Sequence, residues 1–288
     1  MGKNIFVIGA GRIGSKIAEK LSKIYKNITV IDRDTIEKSN LENGYLFRPE
    51  DLGEPKALVI KNKLNLKEAI VDDLSSDNIN LIKNAELIID GTDNFETRFL
   101  LNDFAVKNSI PYIFASVIEN KGMVFPVIPI KPCLRCVFDN PKNFQSCETL
   151  GVNLGVVDSV TNKQIEIALK ILNKEEVLSE LSCFTDRNEK IVKVNKKSNC
   201  ECCFENKFKF LNSRLKTEVI KFCGSGNFLV KGNFDFNLLK NRLKVIEDYG
   251  HSFSYKGMMI YKDKVMLKAE NKIKAKNLYL KLMENIDG

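Results

Sequence analysis

Residues 3–34, KNIFVIGAGRIGSKIAEKLSKIYKNITVIDRD, open on a short apolar run and a glycine-rich turn. A stretch with apolar positions every three or four residues follows, and then a second apolar run. The pattern predicts strand, helix, strand. Buried-strand patterns recur at 66–71, 85–90 and 110–116, with helical patterns around 54–64, 76–83 and 95–107 between them. Such alternation predicts a mainly parallel sheet with helices on both faces. From Val117 the run VIENKGMVFPVIPI, punctuated by Gly and Pro, predicts an antiparallel extension. A polar stretch, DNPKNFQSCETLGVNLG, then leads into a helix over 156–172. Beyond Cys203 the pattern predicts strands at 218–222 and 227–230, a helix at 234–247, strands near 252–262 and 264–268, and a helix at 271–284. The fold class read from this is α/β, with a large domain at 1–204 and a small α+β appendage at 205–288.

Composition changes this picture little. With 288 residues, 44% of them apolar, the chain can bury one large core and a smaller one. No run approaches the ~18 apolar residues of a membrane span, and the first strand is not preceded by a basic-then-apolar leader pattern. The expectation is a cytoplasmic protein with no membrane partner. Charge is more informative: residues 1–204 hold 28 basic and 28 acidic side chains, whereas 205–288 hold 17 and 9, so the net +8 belongs to the appendage. That basic face is read as solvated surface, with an acidic protein partner or RNA as alternatives.

The chemistry starts at the glycines. GAGRIG (Gly9, Gly11, Gly14) follows a strand and opens a helix, the context of a nucleotide phosphate site in a Rossmann-like sheet. Asp32 ends the second strand, where a carboxylate can meet ribose hydroxyls. A dehydrogenase has little use for the long polar loop that follows, with Asp34, Asn40, Arg48 and Lys56, whereas a triphosphate needs cations nearby. The apolar strand IIDGTDNF ends on Asp90 and Asp93, at the sheet edge where ligands bind.

Eight cysteines without an export signal point to metal or thiol chemistry. Cys133 with Cys136 and Cys200 with Cys203 form two Cys-x-x-Cys knuckles, the spacing of a closed tetrahedral zinc site. Cys202 competes for a knuckle position, with poorer spacing. Cys147 lies in the polar stretch, where a thiol beside an activated acyl group could act as nucleophile. Cys183 and Cys223 have no partner spacing, and the single histidine, His251, lies in the appendage.

Over roughly residues 3–204 the chain resembles the ubiquitin-activating-enzyme-like superfamily, the ThiF/MoeB/HesA adenylyltransferases. The resemblance rests on GAGRIG, IDRDTIEKSNL, LFRPEDLGEPKA, DGTDNFETRFLLND, CLRC, CETLGVNLGVV and CECC. It implies ATP-dependent adenylation of the C-terminal glycine of a ubiquitin-like sulfur carrier ending in Gly-Gly, serving cofactor or tRNA thiolation. By the same resemblance Asp93 holds Mg²⁺, Lys56 and Asn40 meet the phosphates, and Asp32 binds the ribose. In ThiF-like members a cysteine at the position of Cys147 takes part in acyl or persulfide linkage, whereas MoeB-like members can proceed without it; the resemblance further implies a homodimer and a sulfur donor enzyme as partner. Arg98 and Asn102, one turn apart, would support the site and the dimer contact. Where family members carry a phosphate arginine this chain has Asn43, and Arg12 and Arg48 are the candidate substitutes. Two other readings remain: a non-catalytic scaffold half of a heterodimer, and a relative that adenylates a carboxylate on tRNA.

Overall fold

Alternation with a period of two decides where each side chain of the first strand goes. In β1 (Ile5–Ile8), Ile5 and Val7 enter one apolar core while Phe6 and Ile8 enter another. A strand buried on both faces belongs inside a layered sheet. The sheet comprises β1, β2 (Ile28–Ile31), β3 (Glu68–Ile70), β4 (Leu87–Asp90), β5 (Tyr112–Ile118), β6 (Lys121–Val127), β7 (Glu180–Phe184) and β8 (Glu189–Lys193), in the order β3-β2-β1-β4-β5-β6-β7-β8. Neighbours from β3 to β5 run parallel, and those from β5 to β8 antiparallel. This is the expected parallel sheet with an antiparallel extension. The computed structural model describes residues 3–42, 46–138, 153–212, 219–221, 227–232, 234–243 and 245–287.

The helices of this part are α1 (Arg12–Ser22), α2 (Lys38–Glu42), α3 (Lys56–Leu64), α4 (Phe95–Asn108), α5 (Leu134–Val137), α6 (Leu154–Leu172) and α7 (Lys209–Asn212). Residues of α1, α3 and α6 share one core with the sheet, and residues of α4, α5 and α7 pack into the core on its other face. α6 starts at Asn153, whose side chain accepts from the Gly155 N–H at 2.9 Å. It buries Val156, Val160, Gln164 and Ile167, one helical face. α4 is buried at every residue from Thr97 to Ala105, as befits a helix packed on two sides.

Residues 76–83 form only a 3-10 turn, Ile79–Ile82, in place of the expected helix. The Asn78 side chain accounts for this by holding the chain in a loop: it accepts from the Ser75 N–H and donates to Asp72 Oδ2 and the Asp73 carbonyl. β7 and β8 have no counterpart in the sequence reading, and β8, exposed at every residue, carries no burial alternation to reveal it.

By internal contacts the chain divides into two units, Met1–Ser213 and Arg214–Gly288. The segment after Cys203 packs within the first: Phe210 stacks on Phe99 at 5.1 Å, and its N–H donates to Asp103 Oδ2 at 3.0 Å. The second unit contains β9 (Val219–Lys221), β10 (Asn227–Lys231), α8 (Phe236–Arg242), β11 (Glu247–Asp248), β12 (Ser252–Tyr255), β13 (Met258–Tyr261), β14 (Lys264–Lys268) and α9 (Lys272–Asp287). Its antiparallel sheet, β11-β12-β13-β14-β10-β9, has its own core, in which Phe228, Phe253 and Ile260 meet Leu239 of α8 and Tyr279 of α9. The expected helix 234–247 ends at Arg242 because Leu243 turns extended (φ −85°, ψ 147°). The expected single strand 252–262 is a hairpin, folded at Lys256 and Gly257, both at positive φ.

α6 approaches β6 at Gly122, where an added Cβ would lie 2.4 Å from Val160 Cγ2 and 2.9 Å from Val156 Cγ1. Gly122→Ala should therefore lever α6 from the sheet and destabilise the first unit by about 1–3 kcal/mol. Urea unfolding measures this, and an unchanged midpoint would show that the helix yields freely.

Candidate active site and metal centre

The three glycines where β1 passes into α1 do different work. Gly9 lies at φ +90°, and a Cβ there would sit 2.6 Å from the Gly91 backbone. At Gly14 the Cβ would be 1.8 Å from the Gly9 carbonyl oxygen. These two let β1, α1 and the loop after β4 cross backbone to backbone. Gly11 is different: as N-cap of α1 it has an ordinary φ of −71°, and a Cβ would meet nothing within 4 Å. The fold does not require glycine there. What Gly11 leaves clear is the space before a helix N-terminus, whose N–H groups lack intrahelical partners and suit an anion.

That space is a cavity of about 390 Å³, lined among others by Gly11, Arg12, Asp32, Lys56, Asp93 and Arg98. It lies at the carboxyl ends of β1 and β4, where the strand order reverses and open α/β sheets bind ligands. Gly9 and Asp34 also line it; Gly14, Asn40 and Arg48 are not among its described lining residues. Asn40 accepts from the Glu37 N–H at 2.9 Å, and Arg48 is exposed. Asn43 and Cys147 lie outside the described residues.

Asp32 accepts from the Ala10 N–H at 2.5 Å and the Asp34 N–H at 2.6 Å. Burial, with the Asp34 charge, raises its pKa to about 6 despite Lys56 and these hydrogen bonds. Because its native pKa lies above its unfolded one, its contribution to stability is full at low pH and is lost as pH rises through about 6. Lys56 donates to Asp34 Oδ2 at 3.1 Å. Burial pulls its pKa down, but Asp34, Asp32 and Asp93 together hold it above the ordinary value. Burial likewise pushes Asp34 up, and Lys56 and Arg33 outweigh it, so the carboxylate stays ionised. Arg33 donates to Asp73 at 2.6 Å.

Two charged groups stand apart from these pairs. Burial holds the Arg12 guanidinium below its ordinary pKa, and its side chain makes no hydrogen bond or ion pair among the described residues. The Asp93 carboxylate is exposed at the cavity and makes no hydrogen bond or ion pair among them, though its charge reaches Lys56 and Arg33. One loose cation and one loose carboxylate can receive a phosphate and its counter-cation, and Asp93, as a free oxygen donor, fits a magnesium ion.

Asp90, by contrast, is structural. Fully buried, it accepts from the Thr92 N–H and hydroxyl at 2.8 and 2.7 Å, from Arg98 Nε at 3.2 Å and from the Tyr112 hydroxyl at 3.1 Å. Arg98 lies near the rings of Phe95 and Phe114, at 5.0 and 5.4 Å. Sequence reasoning missed the partnership of Arg98 with Asp90. A basic residue on an otherwise buried helix, eight positions after a buried acid, was the available signal. The Arg33–Asp73 pair had none, since those residues meet only through the pairing of β2 with β3.

The cysteines converge on the α4 face of the sheet. The Sγ atoms of Cys133, Cys136, Cys200 and Cys203 all lie within 4.8 Å of one another, with Cys133 to Cys200 at 3.6 Å and Cys136 to Cys203 at 3.5 Å. A tetrahedral zinc with ~2.3 Å Zn–S bonds sets sulfurs ~3.8 Å apart, so these four fit that ion. Hydrogen bonds among the four thiols pull Cys136 and Cys200 below the ordinary thiol range and push Cys133 and Cys203 above it, as befits sulfurs close enough to share protons. Arg135 of one knuckle pairs with Glu201 of the other. Cys202 is buried but outside the four-sulfur group.

The ThiF family profile matches residues 2–203, which span the cavity and all four cysteines. The chain belongs to the ThiF family. Its relatives include the sulfur carrier protein ThiS adenylyltransferase of Bacillus subtilis (strain 168), 32% identical over 79% of this chain and 72% of the relative. A sulfur carrier protein adenylyltransferase of Thermus thermophilus is 33% identical over 59% of this chain and 69% of its own length. Among solved structures, E. coli MccB with ATP superposes with a TM-score of 0.60 over 70% of this chain and 67% of that one; at 19% identity this shows a shared fold.

In this ThiF-family chain the glycines can be separated by experiment. Gly14→Ala should lower stability severely, because its Cβ meets backbone. Gly11→Ala should leave the melting temperature within about 2 °C and weaken nucleotide binding at least tenfold. Calorimetric titration with ATP decides, and unaltered affinity in Gly11→Ala would place the phosphates elsewhere.

Proposed function

We propose that this chain is an adenylyltransferase that uses ATP to activate the C-terminal glycine of a ubiquitin-like sulfur carrier. We further propose that it works in the cytoplasm as a homodimer, with a sulfur donor enzyme acting on the product for cofactor or tRNA thiolation. One observation carries the reading: the cavity at the β1/β4 switch point joins a helix N-terminus left open by Gly11 to Arg12 and Asp93, whose side chains make no hydrogen bond or ion pair among the described residues. The names of the relatives support the choice of substrate.

In the reaction, a carboxylate oxygen of the carrier's terminal glycine attacks the α-phosphorus. The bond from that phosphorus to the oxygen bridging toward the β-phosphate breaks, pyrophosphate leaves with its electron pair, and an acyl-adenylate remains. The attacking carboxylate is already ionised at neutral pH, so no base is needed and His251 has no part. Arg12 and the N–H groups at the start of α1 meet negative charge on the phosphates. Lys56 is held at the same cavity by Asp34 and is positioned to share its charge with a bound phosphate. Asp32, when ionised, accepts hydrogen bonds from the ribose. Asp93 would hold magnesium, which when bound neutralises phosphate charge. The reading does not depend on Asn40 or Arg48.

Carrier-dependent ATP–pyrophosphate exchange tests the proposal, using small Gly-Gly-ending proteins as substrates. Exchange should appear with one carrier and fall at least a hundredfold in Asp93→Ala. No exchange with any carrier, in folded protein, would favour a scaffold that pairs with another ThiF-family chain. The pH dependence is a second check. Protonated Asp32 has lost its anionic acceptor, so ATP affinity should weaken as pH falls through about 6. A titration between about pH 5 and pH 8 should show this in wild type but not in Asp32→Asn; a flat wild-type profile would remove Asp32 from the ribose.

A further inference from the structure

One turn beyond Arg98, α4 presents two polar side chains that the reaction does not use. Asn102 and Asp103 are both fully buried. The Asn102 amide spans both knuckles: Oδ1 accepts from the Leu134 N–H, inside the first, at 2.8 Å, and Nδ2 donates to Cys202 Sγ, inside the second, at 3.4 Å. Nδ2 also lies 3.3 Å from Asp103 Oδ1. The sequence Cys200-Glu-Cys-Cys203 offers three thiols for two ligand positions, yet only Cys200 and Cys203 join the four-sulfur group. The Cys202 sulfur is thus engaged by the α4 amide and lies outside the group of sulfurs that could share one ion.

We propose that Asn102 is the positioning residue of the cysteine centre. With one oxygen it fixes the backbone of the first knuckle. With its N–H it holds Cys202 out of the ligand set, so that the metal takes Cys133, Cys136, Cys200 and Cys203. Asn102 itself touches no metal; its effect passes through the groups it orients, as hydrogen-bond partners of ligands do elsewhere. The inference rests on the reading that the four cysteines hold zinc, and the test separates the two.

Zinc content of the purified full chain comes first: about one zinc per chain supports the underlying reading, and none in folded wild type overturns it together with the proposal. Chelator competition then compares Asn102→Ala, Asn102→Asp, Cys202→Ala and Cys200→Ser, with the cobalt-substituted spectrum of each. Asn102→Ala should bind zinc about 10–100-fold more weakly than wild type. Asn102→Asp, which keeps an oxygen for the Leu134 N–H, should recover part of that loss. Cys202→Ala should keep the four-thiolate charge-transfer intensity that Cys200→Ser loses. Wild-type affinity and spectrum in Asn102→Ala would overturn the proposal. So would loss of intensity in Cys202→Ala equal to that in Cys200→Ser, a result that stands even if the Asn102 variants fail to fold.

Discussion

A buried carboxylate at the end of β4 and a buried guanidinium on α4 hold the first unit in register. Neither Asp90 nor Arg98 is tolerable in the interior alone, because an uncompensated charge there costs about 3–5 kcal/mol. Together, and with Thr92 and Tyr112 satisfying the remaining oxygens, they pin the start of α4 to the sheet edge. α4 is 14 residues long, and a helix of that length is a rod of ~21 Å. Its N-terminal approach carries Asp93 to the cavity, while its later turns carry Asn102 and Asp103 to the cysteines. The candidate active site and the metal centre thus share one helix.

The walls of the cavity combine settled and unsettled charge. Arg33 with Asp73 and Lys56 with Asp34 are paired, so their side chains are already oriented. Among the described residues Arg12 and Asp93 form no such pair, and they carry opposite signs. Pre-oriented walls with two groups free to meet a ligand are what phosphoryl chemistry asks of a protein, since most of the catalysis is positioning and charge stabilisation. The glycines complete the arrangement by different means. Gly9 and Gly14 bring backbones together, and Gly11 keeps a side chain from occupying the place of an anion.

The second unit stands on its own core and carries most of the basic excess of the chain. The proposed adenylation draws no residue from it. Lys231 and Lys264 are register partners in neighbouring strands, and both are buried. Such a pairing of like charges normally weakens a sheet, and here Lys264 is compensated by Asp263 at 3.6 Å and by the face of the Tyr261 ring at 5.7 Å.

Local patterns were enough to read the parallel sheet, the antiparallel extension, α6, the glycine turn and the two knuckles, because each is encoded by neighbours in sequence. Strand alternation, helical spacing and Cys-x-x-Cys geometry are short-range properties. The same logic failed where local signals were weak or outvoted. Residues 76–83 carry apolar positions that suit a helix, but the Asn78 side chain takes up the backbone and its neighbours instead. Only tertiary structure decided that Arg98 serves Asp90, that Arg33 serves Asp73, and that Cys202 meets the Asn102 amide. Those outcomes depend on distances between residues as many as 100 positions apart, as for Asn102 and Cys202. The sequence determined which groups exist and how each short segment folds. Burial then determined their partners, because a polar group removed from water must find one within hydrogen-bonding reach, wherever in the chain it lies.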